Sequence, residues 1–391
     1  MDIKMNKIRV GFVGAGFVGP IHIENIRRLG FTDVVALAEI NQEVADRAAI
    51  NLGIPKAYGN WEDLVANPDI DVVHVTCSNV LHYPISKACI EAEKNVICDK
   101  PLTMNTGEAK ELVILAKKRN IVNAITFNMG FYPMIQEARE IIARGELGKI
   151  NLVYGRYVQD WLSKDTDYNW RVESKYQGKS RVAADIGSHW MQMVQMVLGK
   201  RITSVYADST IFIPIRKKPL IEIPTYSEQE LKPGEYEELK IDTEDHVTIM
   251  LKFEDGIKGV MIAAQVCPGR KNRIEWEIHG TGESLSWHGE EPNQLWIGYR
   301  NKPNEIFVKE ANLLSPGARE FAFYPGGLTE GYGDSWRGIF TRIYNYMKNE
   351  GHKKNIKPDF PTFEEGYRIM VVIDAVLKSI KENRWVDVKF Q

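Results

Sequence analysis

The stretch Ile8 to Gly19, IRVGFVGAGFVG, decides the fold. Its apolar run reads as a buried parallel strand, and it ends in Gly14-Ala15-Gly16-Phe17-Val18-Gly19, a G-x-G-x-x-G turn that enters a helix. In such a turn the first glycine permits the bend, the second lets a pyrophosphate approach the backbone, and the third lets helix and strand pack closely. The phosphates then sit on the N–H groups of the helix N-terminus. Gly14, Gly16, Phe17 and Val18 are accordingly candidate dinucleotide contacts. Glycine-rich turns are common, so the surroundings matter. Pro20 suits a first helical turn, and Ile21, Ile23, Ile26 and Leu29 are spaced for a face packed on a sheet. A second apolar run, Val34 to Ala38, delivers Glu39 about twenty residues past the last glycine, where a dinucleotide fold places the acid that bonds the adenosine ribose. No Arg or Lys directly follows Glu39. Its carboxylate would repel a 2′-phosphate with no adjacent cation to offset it, so NAD is expected rather than NADP.

Strand and helix signals continue to alternate through the first third, which implies a parallel sheet covered on both faces. Asp71 to Cys77 and Asn95 to Cys98 read as further strands. Ligands of open α/β sheets bind at the carboxyl ends of strands. Cys77, Ser78, Asn79 and His82 after the first of these strands, and Asp99 and Lys100 after the second, are therefore expected to face the cofactor. Val122 to Phe127 closes this dinucleotide domain, taken as 1–127. From 128 to 391 the grammar changes to that of an α+β domain. A helix Pro133 to Arg144, a strand Ile150 to Val158 and a loop Gln159 to Arg171 lead to one helix, Asp185 to Leu198. Strands between Ile202 and Tyr299, separated by turn pairs such as Asp255-Gly256, suggest an antiparallel meander. Ile213 to Lys240 looks like a long excursion from it, with the charged run Arg216 to Lys218 a solvated loop. Amphipathic helices Asp334 to Lys348 and Phe363 to Glu382 finish the chain.

The 391 residues suffice for two ordinary domains, and a 44% hydrophobic content supports full cores. Lys+Arg 50 against Asp+Glu 52 leaves a formal net charge of -2, and no basic run carries interleaved aromatics, so neither nucleic acid nor an anionic membrane is an expected partner. Cys77, Cys89, Cys98 and Cys267 show no C-x-x-C spacing, which suits free thiols in a reducing cytoplasm. No stretch reads as a secretory signal or membrane span, because the apolar run near the N-terminus is short and is already the first strand. The eight histidines do not pair at metal-ligand spacing, so no metal is expected.

Chemistry concentrates in three places. Lys100 follows a buried strand and precedes Pro101, which stiffens the turn; its ammonium at the sheet edge could stabilise alkoxide character as hydride leaves, or be a surface lysine. Asp185 and His189 lie four apart, so both can project from one helix face. A carboxylate there would orient the imidazole as a general base for an alcohol. The bland alternative is a helix cap and a packed histidine. Tyr157, Gln159, Asp160, Trp161, Asn169, Trp170 and Arg171 mix aromatic faces with hydrogen-bonding groups, as a polyol site or an ordinary interface loop would.

Together, GFVGAGFVG, Asp99-Lys100-Pro101 and Asp185-x-Gly187-x-His189 resemble the glucose-fructose oxidoreductase / inositol dehydrogenase (Gfo/Idh/MocA) family over essentially the whole chain. The resemblance implies a Rossmann domain followed by an α/β domain with an open, mostly antiparallel sheet that usually forms an oligomer interface, hence a homodimer or homotetramer. It implies that Lys100, Asp185 and His189 are catalytic and that the substrate is a small carbohydrate or polyol. Gln159-Asp160-Trp161, Asp167 to Arg171 and Gly331-Tyr332-x-Asp334-Ser335 are similar to the branch of levoglucosan dehydrogenases and glucoside 3-dehydrogenases. Departures are Asp99 for the family's glutamate, Cys77-Ser78 for its Thr-Pro, and Asn128-Met129-Gly130 for its Asn-Tyr-Arg, which removes an arginine from the substrate side. Within this family an NAD-using glycosidase acting by transient oxidation and a non-catalytic NAD-sensing regulator are the alternatives to a dehydrogenase. Glu39 generates a direct test: NAD is expected to bind at least about tenfold more tightly than NADP, about 1.4 kcal/mol, and equal dissociation constants by titration would refute the reading.

Overall fold

The computed structural model describes residues 7–221 and 231–390. From the N-terminus, β1 (Ile8–Val13), α1 (Val18–Arg27), β2 (Thr32–Ala38), α2 (Gln42–Leu52), β3 (Lys56–Tyr58), α3 (Trp61–Ala66), β4 (Val72–Val75), α4 (Asn79–Glu91), β5 (Asn95–Cys98), α5 (Thr106–Arg119) and β6 (Asn123–Ile125) alternate. The strands form one parallel sheet in the order β3-β2-β1-β4-β5-β6. Strand order reverses between β1 and β4, which makes their carboxyl ends the place where such a sheet binds ligands. Local sequence explains the helix starts. Asn41, Asn60 and Asn105 are N-caps whose side chains accept from the N–H groups of Val44, Asp63 and Glu108, each cap contributing about 1 kcal/mol.

The chain continues through α6 (Pro133–Ala143), β7 (Ile150–Val158), α7 (Ser174–Gln177), α8 (Ser188–Leu198), β8 (Ile202–Thr210), β9 (Ile215–Pro219), β10 (Tyr236–Lys240), β11 (His246–Phe253), β12 (Lys258–Ala264), β13 (Arg273–Gly280), β14 (Ser284–His288), β15 (Gln294–Gly298), β16 (Glu305–Val308), α9 (Pro316–Arg319), α10 (Tyr332–Lys348), α11 (Phe363–Glu382) and β17 (Val386–Asp387). Nine strands form an open sheet in the order β16-β15-β14-β13-β7-β12-β11-β8-β17. It is antiparallel except where β7 pairs parallel with β12. The expected meander is thus interrupted, because β7 inserts between β12 and β13 and the connection joining those two must pass over it. Alternation places Val247, Ile249, Leu251 and Phe253 of β11, and Ile274, Trp276 and Ile278 of β13, in the core. Gly155 of β7 makes room for α8: a Cβ there would lie 2.1 Å from Glu275 O and 2.8 Å from Trp190 Nε1. Trp190 instead donates its indole N–H to Glu275 O at 2.8 Å. Leu152, Met250, Val260 and Ile262 stay exposed on the strands' other face.

Three further expectations are corrected. The helix expected from Asp185 is entered through a π-helical turn, Ala183–Gly187, before α8 begins. Ile213 to Lys240 is not a featureless excursion: β9 and β10 pair as a two-stranded antiparallel ribbon, while residues 222–230 of that stretch lie outside the described residues. Arg216 is not solvated but fully buried, because its guanidinium finds four oxygen partners.

Two compact units are present, one of residues 1–128 and 332–370, the other of 129–331 and 371–391. The return of 332–370 to the first unit has a packing cause. The apolar side of α10 lies on α1, where Trp336 and Phe340 meet His22 at ring-centroid distances of 4.5 and 4.8 Å. His22 Nδ1 faces His74 Nδ1 at 3.0 Å, and His74 Nε2 faces the Tyr344 hydroxyl at 2.7 Å. Both imidazoles are fully buried. Burial disfavours their charged forms, holding His22 well below its ordinary value and His74 at about 3.

The sign of the resulting pH dependence follows from linkage. As pH falls below 6.5 the unfolded chain binds protons at these positions while the folded one does not, so stability is lost from about pH 6.5 down towards the His74 value of about 3 and is flat above. A single such histidine contributes a slope of up to about 1.4 kcal/mol per pH unit. His74→Gln, which cannot titrate, is expected to show a shallower decline in urea-unfolding free energy between pH 6 and 4 than the wild type. Parallel declines would refute the assignment.

Candidate active site

In the first unit, candidate residues gather at the carboxyl edge of the parallel sheet. Gly14 turns with φ +95°, and a Cβ on it would lie 2.8 Å from Cys77 N. A Cβ on Gly19 would lie 2.4 Å from Gly14 O, so both glycines are required by protein packing. Gly16 differs: nothing stands within 4 Å of its ideal Cβ. Open space above the backbone at the entry to α1 is what a pyrophosphate needs. Glu39, at the end of β2, brings its carboxylate over this turn, where Oε1 accepts from Ala15 N at 2.5 Å. These residues fit an adenine dinucleotide: the turn and the start of α1 would hold its phosphates and Glu39 its ribose hydroxyls.

Neighbouring strands complete the edge. Thr76 Oγ donates to Gly14 O at 2.6 Å and pins the turn to β4. Ser78 occupies the N-cap position of α4 without a side-chain cap bond, and Cys77 presents its backbone to the turn while burial pushes its thiol up to about 12, out of reach of thiolate chemistry. Lys100 is half-buried and follows β5 directly. Two predicted residues turn inward instead. His82 is buried, with Nδ1 at 2.7 Å from Pro101 O and Nε2 at 3.2 Å from Cys77 O. Burial lowers its pKa, against the raising effect of nearby Asp99 and of the two carbonyls. It ties together the loops after β4 and β5. Asp99 likewise accepts from Thr126 Oγ at 2.7 Å.

In the second unit a polar network surrounds the π-helical turn. Asp185 Oδ2 accepts from Gln265 Nε2 at 2.8 Å, and its Oδ1 faces Arg171 Nε at 3.6 Å. The side chain is therefore not a helix cap. His189, buried at the start of α8, meets the Tyr157 ring edge-on at 6.3 Å. Tyr157 and Gln159 both donate to Asn272 Oδ1 at 2.8 Å, and Trp161 donates to Gln159 Oε1 at 2.8 Å. Arg171 lies over the Trp170 ring at 4.4 Å and donates to Asn169 Oδ1 at 3.1 Å. Asp160 turns away from this group, accepting from Gly269 N and Lys271. π-helical turns frequently mark functional sites, and here one carries the carboxylate. Sequence reasoning missed Gln265 and Asn272. Gln265 read as an interior strand position, and only the insertion of β7 beside β12 brings it to Gln159.

Residues 8–127 match the description "Oxidoreductase family, NAD-binding Rossmann fold" and residues 135–286 match "GFO/IDH/MocA C-terminal domain". Levoglucosan dehydrogenase of Pseudarthrobacter phenanthrenivorans is 28% identical over 98% of this chain and 99% of its own length. Myo-inositol 2-dehydrogenase of Thermotoga maritima is 23% identical over 97% of this chain and 98% of its own. Among solved structures, levoglucosan dehydrogenase in complex with NADH and L-sorbose superposes with a TM-score of 0.87 at 26% identity, covering 99% of this chain and 100% of that one. An inositol dehydrogenase homologue from Azotobacter vinelandii with NADH and myo-inositol gives 0.84 at 25% identity and 98% coverage of each. Two successive family domains matched over more than half of the sequence, on a sheet edge shaped for a dinucleotide, place this chain in the GFO/IDH/MocA family of NAD-binding oxidoreductases.

Proposed function

We propose that this protein is an NAD-dependent dehydrogenase acting on a ring hydroxyl of a sugar, glycoside, anhydrosugar or inositol. The observation that carries the reading is the setting of His189 and Asp185 on a rigid helix entry among Tyr157, Gln159, Trp161, Asn169, Trp170 and Arg171. Aromatic faces cover the C–H side of a ring, while amides and charged groups read its hydroxyls. NAD supplies the hydride acceptor when bound. In this reading His189 takes the hydroxyl proton, Asp185 orients the imidazole and bonds a substrate hydroxyl, and the Lys100 ammonium stabilises the oxygen as negative charge develops on it. Gly14, Gly16, Phe17, Val18 and Glu39 hold the dinucleotide, with Cys77, Ser78, Asn79 and Asp99 shaping the edge beside it. The substrates named for the relatives, levoglucosan and myo-inositol, are of this ring-polyol class.

The four cysteines are free thiols, which fits a reducing cytoplasm. No described helix is long and apolar enough to cross a membrane. The open sheet face that exposes Leu152, Met250, Val260 and Ile262 favours a homodimer or homotetramer. Light scattering at micromolar concentration is expected to report an oligomer, and a monomer would remove this part of the reading.

His189→Ala and Lys100→Ala are each expected to lower kcat by about 100-fold or more, the scale of a positioned acid or base. Asp185→Asn should also reduce turnover, and NAD affinity should be unchanged in His189→Ala. The measurement is NADH release with levoglucosan, glucosides and inositols. Three variants turning over at the wild-type rate would refute the assignment, and glycoside cleavage without net NADH would replace dehydrogenation by transient oxidation.

A further inference from the structure

Arg216 stands on β9, yet no part of it reaches solvent. A buried guanidinium is tolerated only when paired and hydrogen-bonded, and the partners of the two terminal nitrogens of Arg216 show what it holds. Nη1 donates to Lys164 O at 2.9 Å and Asp167 O at 3.0 Å, and Nη2 donates to Leu162 O at 2.9 Å. Three carbonyls of one loop converge on a single side chain. Nη2 also pairs with Asp245 Oδ1 at 2.9 Å. The same loop packs on the ribbon through a small apolar cluster in which Leu162 and Val172 meet Ile241, with Trp161, Tyr168 and Leu239 against it. The backbone follows suit, Lys217 N donating to Asp165 O at 2.8 Å.

Asp245 continues the connection. It pairs with Arg181, fully buried like itself, and Arg181 O accepts from Asp185 N at 2.7 Å at the π-helical turn. The neighbouring Glu244 accepts from the N–H groups of Arg181 and Ala183, both at 3.1 Å. One buried carboxylate is thus shared by an arginine that grips the loop and an arginine that leads into the turn carrying Asp185.

We propose that Arg216 is a positioning residue: the β9–β10 ribbon is a buttress whose arginine fixes the loop 162–173, and through Asp245 and Arg181 it registers that loop against the turn bearing Asp185. Trp161, Asn169, Trp170 and Arg171 stand on or beside this loop, so the grip sets how a ring substrate is read without touching it. That last step rests on the function proposed above; the grip itself does not.

Arg216→Met removes the donors while keeping an unbranched apolar stem, and Arg216→Lys keeps the charge but cannot span three carbonyls. Hydrogen–deuterium exchange on the full-length protein is expected to speed up about tenfold or more in peptides covering 159–173 in Arg216→Met, less in Arg216→Lys, with β11 and β13 at wild-type rates. With levoglucosan, glucose and myo-inositol as probes, KM for whichever is oxidised should rise about tenfold while kcat stays within about threefold and NAD affinity is unchanged. Wild-type exchange in 159–173 would overturn the proposal, as would a fall in kcat with KM unchanged. Should Arg216→Met fail to fold, the exchange and KM of Arg216→Lys decide in the same directions. If the wild type oxidises none of the probes, the proposed function is what fails, and the exchange measurement still decides whether Arg216 holds the loop.

Discussion

At Gly14 the chain turns with φ +95° while the backbone of Cys77 occupies the space where a side chain would begin. Only glycine satisfies both conditions. Because it does, β1 and β4 run side by side up to their carboxyl ends, Thr76 reaches the Gly14 carbonyl, and α1 starts close enough to the sheet that Gly19 must also lack a side chain. The dinucleotide edge is therefore a consequence of how tightly two strands and a helix approach, and Gly16 is the one glycine of the three whose absent side chain leaves room for something other than protein.

Much of this was legible in the sequence because it depends on neighbours along the chain. The glycine turn, the acid after β2, the asparagine caps and the alternating strands are local patterns, and most element boundaries follow from them within a residue or two. What was not legible depends on contacts between distant segments. Nothing in the run Arg216 to Lys218 distinguishes a solvated arginine from one enclosed by carbonyls 50 residues upstream; the difference is made by Asp245 and a loop that folds over it. The insertion of β7 between β12 and β13 has no local signature either, and it is what brings Gln265 and Asn272 to Gln159. His82 shows the opposite case. Its position at a helix start beside a strand end suits a ligand contact, yet two carbonyls of the flanking loops lie at its ring nitrogens.

The two units treat buried polarity differently. In the first, two neutral imidazoles and a phenol sit among aromatic rings, and burial keeps them uncharged. In the second, full charges are buried together, with Asp245 held by two guanidinium groups and by the N–H groups of Phe212 and Ile213. A neutral cluster tolerates a change of shape at the cost of packing, whereas removing one member of the charged set leaves the rest uncompensated in a low-dielectric interior.

Helix α10 gives the chain a particular order of assembly. The parallel sheet is complete by residue 125, but His22 on α1 and the ring of His74 beside it also pack against Trp336, Phe340 and Tyr344 of α10. At about 5–20 residues per second of synthesis, the roughly 200 residues that separate β6 from α10 keep this surface waiting for tens of seconds on the ribosome. The nucleotide-binding unit is the first of the two to be made and among the last to be finished, so a fragment ending near residue 128 lacks the rings of Trp336, Phe340 and Tyr344 that pack against His22 and His74.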